Sequence, residues 1–127
     1  MVPITCSLGW KLEVERGPNW LFVRPRGRVP HGDETPPLAD NIWSLAVKNM
    51  TDRVVIELDD IDVLHTQIVG ELLKLQQQLE RSGGFLRICG LSEFNRQLLG
   101  TCGLDGRLPL FPDRHQAVVG DFPTQPR

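Results

Sequence analysis

The chain has 127 residues, enough for one domain with its own core and no need of disulfides or metals. Apolar residues make up 40% and charged residues 24%, and a net charge of −2 supplies no basic field for nucleic acid or an anionic membrane. Three cysteines (Cys6, Cys89, Cys102) are too few and odd in number for a secreted disulfide framework. No stretch approaches the roughly 18 apolar residues of a membrane span. The opening MVPITCSLGW has neither a charged start nor an apolar run suited to a leader, so the chain reads as reduced and cytoplasmic.

Residues 1–9 read as a lead-in to a single domain over 10–120, with 121–127 a flexible tail. KLEVER (11–16) alternates, Leu12 and Val14 on one face and Glu13 and Glu15 on the other, as a half-buried strand does. Gly17-Pro18-Asn19 is a turn, and WLFVR (20–24) is a second strand, so the two predict a hairpin. Pro25 lacks a ladder donor and is expected to end or bulge that strand. Residues 25–37 are Pro- and Gly-rich and read as a loop; Thr35 and Pro36 suit an N-cap and a first helical position. Leu38, Ile42, Leu45 and Ala46 continue at helical spacing to about Lys48, with Trp43 at the border of the stripe.

VVIEL (54–58) is nearly continuous in apolar residues, as in a central parallel strand covered on both faces. From Thr66 to about Arg81, Ile68, Val69, Leu72, Leu73, Leu75 and Leu79 make a broad helical stripe, and Gly83-Gly84 ends it. FLRIC (85–89) is a strand. Ser92 opens a helix to about Leu99 that Gly100 or Gly103 stops. Leu108–Phe111 reads as a short edge strand, and 113–119 as a last helix. The order predicts an α/β fold: a mixed sheet of about five strands with an N-terminal hairpin, and about four helices.

Few constellations carry chemistry. His31, His65 and His115 are dispersed, and no cysteine pair has zinc-ribbon spacing, so no metal site is assigned. No phosphate-binding glycine loop occurs. Cys89 ends a strand at the rim where α/β sheets bind ligands, but a buried cysteine commonly packs as a small apolar group, which is the reading taken. Cys102 lies among glycines with no base nearby to make it a thiolate. Glu57, Asp59, Asp60 and Asp62 gather at and after a strand end; they suit acid–base work or magnesium, and more simply a solvated acidic loop. Thr66 opens the longest helix. Its hydroxyl is either an N-cap or a phosphate acceptor, since a helix N-terminus tolerates added negative charge.

Together VVIELDDIDVLHTQIVGELLKL, the following Gly-Gly, LRICGLS and NRQLLGTCGLDGRLPLF resemble a STAS domain, the anti-sigma-factor antagonist fold, over roughly residues 10–120. The resemblance implies a non-catalytic protein without cofactor that binds an anti-sigma factor or a GHKL-type serine/threonine kinase. It implies a partner surface at Asp60, Asp62, His65, Thr66, Gln67 and Glu71, and Thr66 as the phosphoacceptor candidate. The family's D-S-[ST]-G motif falls on His65-Thr66-Gln67-Ile68. The Asp and the second hydroxyl are thus replaced, and a stressosome-type D-[ST]-x-[IV] pattern matches apart from the Asp. The same resemblance allows a constitutive, never phosphorylated module, or an accessory domain of a lipid or anion transport system. Homo-oligomers are compatible with it.

Overall fold

A computed structural model describes residues 2–5, 11–26, 38–104 and 106–119. Among them one six-stranded sheet runs in strict chain order, β1-β2-β3-β4-β5-β6. Strands β2 (Lys11–Arg16) and β3 (Leu21–Arg26) form the expected antiparallel hairpin, closed by Gly17 N–H donating to Trp20 O at 2.8 Å. Strands β4 (Arg53–Glu57), β5 (Phe85–Cys89) and β6 (Leu110–Phe111) follow in parallel, joined by α1 (Leu38–Lys48), α2 (Thr66–Arg81) and α3 (Glu93–Thr101). A short α4 (Arg114–Val119) ends the described chain. The five expected strands and four helices are present, and the fold is the mixed α/β sheet that the pattern predicts.

Two details differ from expectation. Val2–Thr5, inside the stretch read as a lead-in, is a strand (β1), paired antiparallel with β2 from Val2↔Val14 to Thr5↔Lys11. Its four residues are too few for periodicity to register. Pro25 neither ends nor bulges β3, which runs on to Arg26. The ladder to β4 stops at Val23↔Ile56, so at Pro25 the strand has no neighbour on that side to miss its N–H. Thr35, Pro36 and the tail 121–127 lie outside the described residues.

The apolar spacing explains which face each helix buries. Leu38, Ile42 and Ala46 of α1, and Ile68, Leu72, Leu75 and Leu79 of α2, join Val54, Ile56 and Ile88 in one core, with Trp43 and Leu45 packed at its margin. Helix α2 ends as its glycines predict: Gly83 takes a left-handed φ of 85°, and the N–H groups of Gly83 and Gly84 donate to Glu80 O and Leu79 O. Helix α3 runs through Gly100 and stops at the left-handed Gly103 instead.

The other face of the sheet is closed by a smaller cluster, Phe22, Val55, Cys89, Phe111 and Ala117, under α4. Cations hold it together. The Arg87 guanidinium lies between the rings of Trp20 and Phe111, 5.2 Å from each centroid, and donates to Ala117 O at 2.7 Å. Glu57, which ends β4, is only 2% exposed, and Arg114 of α4 grips both its oxygens, Nε to Oε2 at 2.5 Å and Nη2 to Oε1 at 3.0 Å. Arg114 also donates to Glu15 of β2 at 3.0 Å and stacks over Phe22, 4.2 Å from its centroid. Its hydrogen bond to Glu57, set against partial burial, pushes its pKa further up, so it stays charged at any workable pH.

Removing one partner of such a pair strands a buried charge. Arg114→Ala is expected to cost roughly 3 kcal/mol in urea unfolding. The double variant Glu57→Leu/Arg114→Leu should recover more than half of that loss. An Arg114→Ala protein as stable as wild type would show that the pair does not secure α4.

Candidate functional site

The loop between β4 and α2 is built from alternating anchors. Leu58, Ile61 and Leu64 point inward and are buried, while Asp59, Asp60, Asp62, Val63 and His65 are exposed. Leu58 N–H donates to Cys89 O at 2.9 Å, which carries the loop across the end of β5. The remainder is held by one side chain from α3. Asn95 is fully buried: its Oδ1 accepts from Leu64 N–H at 2.8 Å, and its Nδ2 donates to Ile61 O at 3.1 Å and Asp62 O at 3.3 Å. Asn95 is itself set by Ser92, whose Oγ accepts the Asn95 N–H at 3.1 Å as the N-cap of α3. The segment that delivers His65 and Thr66 to the surface is thus clamped from a helix some 30 residues further along the chain.

Thr66 is not the cap of α2. His65 holds the N-cap position in extended backbone (φ −72°, ψ 157°), no side chain caps the helix, and Thr66 is its first residue, exposed. The helix starts at Thr66, as the apolar stripe predicts, and the cap position falls on His65, one residue before the hydroxyl that the capping alternative assigned to it. The first turn of α2 contains no acidic residue. Helix α3 contrasts on both counts, with a capping Ser92 and with Glu93 in its first turn. A bare N-terminal turn with a positive dipole end and an adjacent hydroxyl is suited to receiving negative charge.

The acidic cluster divides. Glu57 belongs to no solvated loop; its burial under Arg114 corrects that expectation. Asp59 lies 3.7 Å from Arg24, and Asp60 lies 3.4 Å from Arg26, which also pairs with Glu13 at 2.7 Å. Asp62 is exposed, and Gln67 is half-buried. Glu71 turns inward, its Oε1 accepting Ala39 N–H at 2.9 Å in the first turn of α1. Asp60, Asp62, His65 and Thr66 are thus exposed along one stretch with the half-buried Gln67 next in sequence, whereas Glu71 ties α2 to the start of α1. Among the described residues no group of three or more His, Cys, Asp or Glu side chains converges as metal ligands. No helix there is long and apolar enough to cross a membrane.

Cys89 is buried, and burial, with the Glu57 and Asp59 charges behind it, pushes its thiol up to about 12. Cys102 is exposed. Two functional supports went unread in the sequence, Asn95 and Arg114. A signal existed for the first: Asn95 and Leu99, one turn apart, are the buried face of α3, so a polar residue occupies a core position and must find partners.

A STAS domain profile matches residues 11–117. The chain belongs to the STAS domain family. Several solved structures superpose on it over most of their length. An anti-sigma factor antagonist from Mycobacterium paratuberculosis aligns at 19% identity, TM-score 0.70, covering 91% of this chain and 96% of that one. A putative anti-sigma factor antagonist from Thermotoga maritima aligns at 13% identity, TM-score 0.64, covering 84% and 91%. A serine-to-glutamate variant of RsbS from Moorella thermoacetica aligns at 14% identity, TM-score 0.61, with 84% and 91% covered. At these identities the likeness establishes the STAS fold. No curated protein matches the sequence.

Asn95→Ala is expected to destabilise the STAS domain by about 2 kcal/mol, because Leu64 N–H loses its acceptor in a dry setting. Native-state hydrogen exchange should show the Leu64 amide speeding up more than amides of β4 and β5. The raised Cys89 thiol has a signed consequence. The folded state keeps a proton that the unfolded chain gives up near pH 9, so stability falls as the pH rises from about 9 toward 12. Cys89→Ala should flatten that slope in denaturant titrations. At pH 8, iodoacetamide should modify Cys102 at least about tenfold faster than Cys89 in the native protein.

Proposed function

We propose that this STAS domain is a non-catalytic docking module. It holds a regulatory protein, an anti-sigma factor or serine/threonine kinase, on the rim of Asp60, Asp62, His65, Thr66 and Gln67, and a phosphate on Thr66 releases that partner. The observation that carries this reading is the exposed Thr66 at the first position of a helix whose cap position is held by His65, so that Thr66 is not the cap. The likeness to anti-sigma factor antagonists supports the class of partner.

A phosphate there adds about −1.5 to −2 charges beside Asp60 and Asp62. The bare first turn of α2 offsets the charge within the fold, so the domain stays folded. In a closed contact the phosphate would have to shed its water beside the Asp60 and Asp62 carboxylates, and that desolvation, with the added bulk, weakens the partner's fit.

A second reading is favoured by His65 and Gln67, which stand where the family motif has its Asp and second hydroxyl. In it the domain is a constitutive module that is never phosphorylated. Phosphate-affinity electrophoresis of protein from the native host separates the two: a shifted band that Thr66→Val abolishes supports the switch, and none under stress supports the constitutive module.

With the partner identified by crosslinking and mass spectrometry, Thr66→Asp should bind it at least about tenfold more weakly than wild type, while Thr66→Val binds as wild type does. Folding stability of Thr66→Asp should lie within about 1 kcal/mol of wild type, since a carboxylate at this position suits the helix dipole. Equal binding by folded Asp and Val variants would defeat the release mechanism.

A further inference from the structure

Beside Thr66, between α2 and α3, lies a pocket of about 270 Å³. Leu64, Val69, Leu73, Leu98, Leu99 and Leu104 supply most of its wall, and Thr66, Gly70 and Cys102 complete it. Cavities of roughly 150 Å³ with such walls already take up a benzene-sized guest. The pocket is therefore large enough for a compact apolar molecule and offers almost nothing to a polar one.

Gly70 adds an independent observation. It is the fifth residue of α2 and a member of the pocket wall. Glycine is the poorest helix former after proline. Close packing does not require it here, since a Cβ built at Gly70 meets no heavy atom within 4 Å. Gly84 shows the opposite case, where a Cβ would collide with the backbone of Asp52. Gly70 is exposed at the mouth of the pocket, so a longer side chain there has room to lie across the opening.

We propose that the α2–α3 pocket is a binding site for a small aliphatic ligand, a short hydrocarbon chain such as the tail of a medium-chain acyl compound, with Gly70 as the residue that leaves its mouth open. The absence of any charged side chain from the wall favours recognition of the chain rather than of its head group. The volume suits a small molecule more than the broad, continuous face that a stable protein interface needs. The pocket shares Thr66 with the rim, so the ligand is tested on unphosphorylated protein, and Gly70→Leu, which leaves Thr66 untouched, separates failure of the pocket from failure of the docking role.

The test is a titration of isotope-labelled, unphosphorylated protein with octanol, octanoate and octylamine, followed by amide chemical shifts. All three should give saturable shifts centred on Thr66, Val69, Gly70, Leu73, Leu98 and Cys102, with Kd below about 1 mM. Gly70→Leu, which lies across the opening and favours the helix, should weaken all three at least tenfold while melting no lower than wild type. As a second readout, octanol should slow thiol labelling of Cys102 in a Cys6→Ser background at least threefold. Non-saturable or scattered shifts would overturn the site, as would unchanged affinity in folded Gly70→Leu. A dimer that octanol dissociates would assign the pocket to a second copy and overturn the ligand.

Discussion

One carboxylate organises the sheet of this STAS domain. Glu57 ends the central strand and is almost wholly buried, and a charge so placed is tolerable only if its partners are close and well aimed. Arg114 meets that demand with two hydrogen bonds, and its remaining nitrogen reaches Glu15. A single guanidinium thereby joins β2, β4 and α4. Arg24 stands 3.5 Å from the same carboxylate and extends the network to Asp59. Asp59 and Asp60, after β4, are thus held by arginines of β3, and Glu57, at its end, by the arginine of α4.

The two faces of the sheet divide the work. One carries the large apolar core under α1, α2 and α3 and so fixes the direction of α2. The other is held by arginines against aromatic rings and carboxylates. The rim lies where these systems meet. Asn95 reaches it from the helical side and the Arg26–Asp60 pair from the sheet side, so the loop ahead of Thr66 is held at both edges.

Most of the architecture was legible because it is written in local periodicity. Leu12 and Val14 alternate in KLEVER, VVIEL reads as a covered strand, and the leucines of α2 repeat by turns. What escaped was not local. The β1 strand is defined by its pairing with β2 rather than by its own four residues. Pro25 is acceptable in β3 because of where β4 stops, which no window around residue 25 contains. Glu57 looked like the start of a solvated cluster because its counter-ion lies 57 positions further on. The helix start at Thr66 was legible, but the distinction between cap and first residue depends on the backbone angle of His65.

The strands add to the sheet in the order in which they are translated. On the ribosome each new strand can therefore dock on an edge already in place, a route with little long-range searching. Arg114 is the exception, made 57 residues after Glu57. At about 5–20 residues per second that is a delay of roughly 3–11 s. During that interval the nascent sheet carries an acid whose principal counter-ion does not yet exist, and chaperones would meet it in that unfinished form.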